Sequence, residues 1–197
     1  MNSDSRQIII VSGLPRSGTS LCMRMLEAGG VPVLADHIRE SDDDNPNGYY
    51  EFEPVKQTRQ DSSWLLNAGG KAVKMVYRLL YDLPPGYQYR VLFMRREIQE
   101  ILASQRKMLE RNRLSADEIS DVEMKKLFES ELADSLSWLS QQRCMEVVEI
   151  NYNELIEDPE PTLRNIDEFL GLPLDLASMQ AVINPKLYRN RGLTTSS

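Results

Sequence analysis

Hydrophobic positions fall into short runs and helical stripes that alternate along the chain. Ile8, Ile9, Ile10 and Val11 form an unbroken β-branched run, which predicts a strand buried on both faces. Ser12-Gly13 ends it, and Leu21, Met25 and Leu26 then recur at helical spacing, predicting a helix over 19–29 closed by Gly29-Gly30. Val31–Leu34 reads as a second strand and residues 35–50 as a polar surface loop. Residues 53–66 read as a helix with Pro54 in its first turn. Ala72–Val76 and Tyr89–Met94 are predicted strands on either side of the Leu83-Pro84-Pro85-Gly86 turn. Ile98, Ile101, Leu102, Met108 and Leu109 mark one face of the next helix. Ser115 and Glu118 read as a capping box opening a helical region to about Gln142, broken near Ser120-Asp121. Met145–Ile150 is a fifth strand. Asp158-Pro159 starts a helix that Gly171 stops, and Asp175 caps a last short helix to Ile183.

This order predicts an α/β fold, a three-layer sandwich with a central parallel sheet of about five strands and helices on both faces. The chain has 197 residues, enough for one domain, and no repeat or linker divides it. Its net charge of −7 argues against general nucleic-acid binding, so a phosphorylated ligand would need a local basic site on an acidic body. No run of 18 apolar residues is present to cross a membrane, and the polar start MNSDSRQ leads straight into the first strand. The expected location is the cytoplasm. Cys22 and Cys144 read as reduced core residues.

Strand, glycine-bounded loop and helix start are the frame of a phosphate-binding loop, whose backbone N–H groups converge on an anion. In Gly13-Leu14-Pro15-Arg16-Ser17-Gly18-Thr19-Ser20, the glycines and Ser20 fit the nucleotide-triphosphatase pattern, but Thr19 stands where that pattern has lysine. The cation is Arg16, inside the loop. From there a guanidinium grips one phosphate or its bridging oxygen in a bidentate way, so the reactive group of the donor is not a γ-phosphate.

GLPRSGTS resembles the loop with which sulfotransferases cradle the 5′-phosphosulfate of PAPS (3′-phosphoadenosine 5′-phosphosulfate). The resemblance implies that Arg16 contacts the 5′-phosphate and bridging oxygen, with Gly13, Ser17, Gly18, Thr19 and Ser20 as further contacts. A second motif agrees. Arg96 at the end of the fourth strand and Ser104 eight residues later resemble the family's arginine and serine that bind the 3′-phosphate, although Arg96-Glu97-Ile98-Gln99-Glu100 lacks the family's Asn-Pro and has Glu100 for its aspartate. The segment from Val148 to Asp175 resembles the family's late strand–loop–helix. The resemblance also makes the tail from about 184 a basic strap over the nucleotide, with Arg189 and Arg191 as its ligands.

Sulfuryl transfer needs cations at the leaving oxygen and a base at the acceptor. Arg16 is the first cation, and Lys74, at the end of the third strand, the second. His37, Asp36 and Glu40 are alternative bases; His37 is the only histidine and an unperturbed imidazole titrates near neutral pH. No metal-ligand spacing occurs, and PAPS, leaving as PAP, is the implied co-substrate. The acceptor is a small molecule or peptide bearing a hydroxyl or amine. Two rivals remain. A P-loop kinase would want the loop lysine and a strand-end aspartate for Mg²⁺. A nucleotide-binding module without transfer activity would bind the donor and turn over no acceptor.

Overall fold

A computed structural model describes residues 7–36, 48–111 and 120–183 of the chain. Among these residues five parallel strands form one sheet: β1 (Gln7–Gly13), β2 (Val33–Leu34), β3 (Ala72–Lys74), β4 (Gln88–Arg95) and β5 (Met145–Asn151), in the order β2-β3-β1-β4-β5. The β-branched run therefore occupies the central strand, with Val11 level with Lys74 on one side and with Leu92 on the other. Because side chains alternate along a strand, β1 feeds two cores. Ile8 and Ile10 join Val73, Val91 and Phe93 on one face, while Ile9 and Val11 join Ala72, Leu92, Met94 and Ile150 on the other.

Among the described residues six α-helices cover these faces: α1 (Thr19–Ala28), α2 (Ile98–Arg111), α3 (Asp121–Leu139), α4 (Tyr152–Glu157), α5 (Pro159–Leu170) and α6 (Leu176–Ala181). Ile101 of α2 and Leu132 and Leu139 of α3 pack on the first core. Met23 and Leu26 of α1, Leu155 of α4, Leu163 and Ile166 of α5 and Met179 of α6 pack on the second. Cys22 and Cys144 are buried and free, and burial pushes the Cys22 thiol up to about 12.

Two sequence expectations change. The helix expected over 53–66 is two 3₁₀ turns, Glu53–Gln57 and Ser63–Asn67. Between them, polar side chains bond locally instead of leaving the backbone to an α-helical ladder. The Ser63 N–H donates to Asp61 Oδ1 at 2.9 Å, the Thr58 hydroxyl donates to the Val55 carbonyl at 2.7 Å, and Trp64 Nε1 donates to Thr58 Oγ1 at 3.1 Å. Tyr77–Asp82 is a further 3₁₀ stretch. Consequently the β2–β3 and β3–β4 crossovers have no α-helix among the described residues. At Ser120-Asp121, where the break is expected, α3 starts. Ser120 Oγ accepts from the Glu123 N–H at 3.3 Å and Glu123 Oε2 accepts from the Ser120 N–H at 3.1 Å, a capping box three residues from each other. The Ser115–Glu118 box lies outside the described residues. Finally, α4 was not anticipated; Asn151 caps it by accepting from the N–H groups of Asn153 and Glu154.

Ser120→Ala should cost about 1 kcal/mol, the usual worth of such a cap. A urea melt reads this directly; an unchanged midpoint would mean that α3 does not depend on its capping box.

Candidate functional site

β1, β3 and β4 end at one edge of the sheet, where open parallel sheets bind ligands. The loop 14–18 leaves β1 there and enters α1. Its turn is closed by the Ser17 N–H donating to the Leu14 carbonyl at 3.1 Å. Both glycines are required by close approach. A Cβ on Gly13 would stand 2.6 Å from the Met94 carbonyl oxygen, and one on Gly18, 2.4 Å from Cδ2 of Tyr152. Gly18, at φ 103°, precedes α1 and offers no side-chain cap, and the first turn of α1 carries no acid. The positive end of the helix dipole is thus left for an anion. Ser17 is fully buried, and its hydroxyl has no hydrogen-bond partner among the described residues.

Arg16 has φ 72°, the left-handed region that ordinary residues avoid. Its side chain leaves the loop and Nε donates to Ser104 Oγ on α2 at 3.0 Å. Its carbonyl accepts from Nη1 of Arg96 at 3.2 Å. The two sequence motifs thus meet by two bonds, one through each arginine. Arg96 also lies over the Tyr152 ring, 4.4 Å from its centroid, and Tyr152 in turn backs Gly18. Nε of Arg96 pairs with Oε2 of Glu100 at 2.9 Å in a nearly buried ion pair.

On the other side of the loop, Lys74 Nζ donates to the Tyr49 carbonyl and to Ser20 Oγ, the latter at 3.4 Å. Ser20 Oγ itself donates to the Tyr49 carbonyl at 3.3 Å. Lys74 therefore stands at the start of α1, as Arg16 stands in the loop. Thr19 is the first residue of α1. Together Arg16, Lys74 and Arg96 place positive charge at the strand ends of a chain with net charge −7, which suits an anionic ligand.

Residues 88–176, from the start of β4 to the start of α6, match the model of the sulfotransferase family. This segment of the chain is similar to sulfotransferases. The fold of the chain is similar to that of solved sulfotransferases. The sulfotransferase domain from the curacin biosynthetic pathway superposes with a TM-score of 0.56 at 16% identity, over 92% of this chain and 79% of that one. For the sulfotransferase domain from the Synechococcus PCC 7002 olefin synthase the values are 0.54 and 15%, over 99% and 91%. A mouse sulfotransferase solved in complex with PAP gives 0.51 and 18%, over 90% of this chain and 63% of that one. No curated protein matches the chain in sequence.

Of the candidates read from the family's motifs, Gly13, Arg16, Ser17, Gly18, Thr19, Ser20, Lys74, Arg96 and Ser104 converge at this edge. Asp36 follows β2, and its Oδ2 accepts from the Glu53 N–H at 2.6 Å, ahead of the first 3₁₀ turn. His37, Glu40, Arg189 and Arg191 lie outside the described residues. Sequence reasoning missed Tyr152 and Asn153. Their one signal was an Asn-Tyr-Asn triplet at the end of a strand. Burial raises the Tyr152 phenol pKa, and the Arg96 guanidinium opposes that rise. Arg24, one turn after Ser20, was missed as well; its Nη2 donates to the Val182 carbonyl at 2.7 Å, and burial lowers its pKa. Beside Arg96 a cleft of about 460 Å³ opens along the ends of β4 and β5, lined in part by Arg95, Glu97, Asn151, Glu154 and Thr162.

Proposed function

We propose that this protein transfers a sulfuryl group from PAPS to a hydroxyl or amine acceptor. The observation that carries the reading is the direct bonding between the two motifs: Arg16 to Ser104, 88 residues apart, and Arg96 to the Arg16 carbonyl, 80 residues apart. In the proposal the loop 13–20 and the start of α1 hold the 5′-phosphosulfate. The buried Ser17 hydroxyl and the acid-free helix start fit such an anion. Arg96 and Ser104 take the 3′-phosphate, joined by Arg189 and Arg191 from the tail.

The acceptor oxygen or nitrogen attacks sulfur in line with the bridging oxygen. The bond from sulfur to that oxygen breaks, and PAP departs with the electron pair. Arg16 and Lys74 stabilise the charge that grows on the leaving oxygen. The acceptor's proton passes to a base. His37, Asp36 and Glu40 are the proposed alternatives; Asp36 Oδ2 also accepts the Glu53 N–H. The reaction needs no metal, the acceptor is a small molecule or a peptide, and the cytoplasm is the proposed site of action.

Thermal stabilisation tests this reading against the kinase. PAP without Mg²⁺ should raise the melting temperature more than ATP with Mg²⁺. At a concentration of about 100 times its dissociation constant, a ligand of the folded state adds about 2.7 kcal/mol. For a chain of this size that is a rise of roughly 5–10 °C. A larger rise with ATP and Mg²⁺ would overturn the proposal.

A further inference from the structure

Arg96 does more in this fold than face a ligand: it holds the backbone of the loop. Its Nη1 donates to the carbonyl of Arg16, the residue with φ 72°. A left-handed arginine costs about 1–2 kcal/mol and persists only where its surroundings over-determine it. What orients the Arg96 guanidinium therefore decides whether the loop keeps its shape. Two groups do so from behind. Glu100, in the first turn of α2 and one turn after Arg96, accepts from Arg96 Nε at 2.9 Å through Oε2. Its Oε1 accepts from Asn153 Nδ2 at 3.2 Å. Asn153 Oδ1 accepts from the Glu97 N–H at 3.4 Å, so the amide reaches back to the turn that carries Arg96. The side chains of Arg96 and Glu100 are 8% and 4% exposed. In that setting each charge depends on the other, and removing one is costly.

We propose that Glu100 and Asn153 are positioning residues of the loop. They fix the guanidinium of Arg96, and through it the peptide after Arg16, without touching the donor. Asn153 is part of this set because it joins the end of β5 to α2 behind Arg96. Loss of the Glu100 charge frees the guanidinium to turn away, and the Arg16 carbonyl loses its donor. The loop then opens locally while the sheet stays intact. The claim about loop shape stands on the geometry alone; only its consequence for donor binding rests on the PAPS reading.

Hydrogen exchange on the ligand-free full chain tests it. The amides of Ser17, bonded to Leu14, and of Cys22, bonded to Gly18, report the loop, and the amides of α5 report the fold. In Glu100→Gln the loop amides should exchange about tenfold faster or more, matching the loss of a hydrogen bond to a charged group, while α5 is unchanged. Glu100→Asp, which keeps the charge, should restore most of the protection. Asn153→Ala should give a smaller acceleration at the same amides, and it carries the test if Glu100→Gln does not fold. A purely structural role would accelerate loop and α5 together and would overturn the proposal, as would loop exchange within about twofold of wild type in both variants. PAP affinity is measured in parallel and should fall about tenfold in Glu100→Gln. If the wild-type protein bound no PAP, the PAPS reading would fall, while the exchange data would still decide the positioning role.

Discussion

Arg16→Ala is expected to lower turnover about 10²-fold or more at saturating donor while the protein stays folded. The size follows from where the side chain stands. Arg16 sits between two glycines at the head of α1 and donates to Ser104 on α2, so its guanidinium joins the loop to the second motif. The donor is already charged in the ground state, and part of the arginine's interaction is uniform binding. The part that strengthens as the sulfur–oxygen bond breaks lowers the barrier itself. Arg16→Lys keeps a charge without the fork and should retain much of the activity. Folding should survive in all these variants, because the loop's bond from Arg96 ends on the Arg16 backbone carbonyl, which alanine and lysine also have. Arg16→Gly removes the left-handed strain and should be more stable than Arg16→Ala by about 1 kcal/mol. Transfer from radiolabelled PAPS to an acceptor found by screening gives turnover, and titration with PAP gives affinity. Weakened PAP binding with unchanged turnover would make Arg16 a binding residue and pass the leaving-group role to Lys74.

Gly18→Ala should destabilise the protein by about 3 kcal/mol, from two costs acting together. The new Cβ would lie 2.4 Å from Cδ2 and 2.9 Å from Cε2 of Tyr152, and the residue would keep φ 103°. Tyr152 cannot easily yield, because it is buried and Arg96 lies over its ring. For this chain length the melting temperature should drop by roughly 6–12 °C. Gly30→Ala separates the two costs. Gly30 has φ 94°, but a Cβ there meets nothing within 4 Å, so only the backbone cost remains. Equal losses in the two variants would show that Tyr152 does not press on the loop. Gly18→Ala should also lose PAP binding, which Gly30→Ala should keep.

Much of the frame was legible locally. The run Ile8–Val11 became the central strand, and Gly171 and Asp175 bound the last two helices where predicted. These features depend on side-chain period, caps and backbone preferences, which act within a few residues. The 53–66 segment went the other way. Its polar middle, Thr58 to Ser63, bonds to itself, and only Val55, Trp64 and Leu65 are buried there among the apolar residues of the two turns. Periodicity could not weigh those local bonds against a helix.

The site divides along the same line. The loop and its arginine were readable in the sequence, because a strand, two glycines and a helix start are contiguous. The eight-residue spacing from Arg96 to Ser104 was readable because both flank one strand–helix junction. That Arg16 bonds Ser104, that Arg96 holds the Arg16 carbonyl, and that Tyr152 stands behind Gly18 depends instead on β1 lying beside β4, and β4 beside β5. Strand order is set by the burial of whole faces across the sheet, which no local pattern encodes. The sequence by itself determined the strand–loop–helix and the charges it carries; only the packing of three parallel strands side by side decided which of those charges touch.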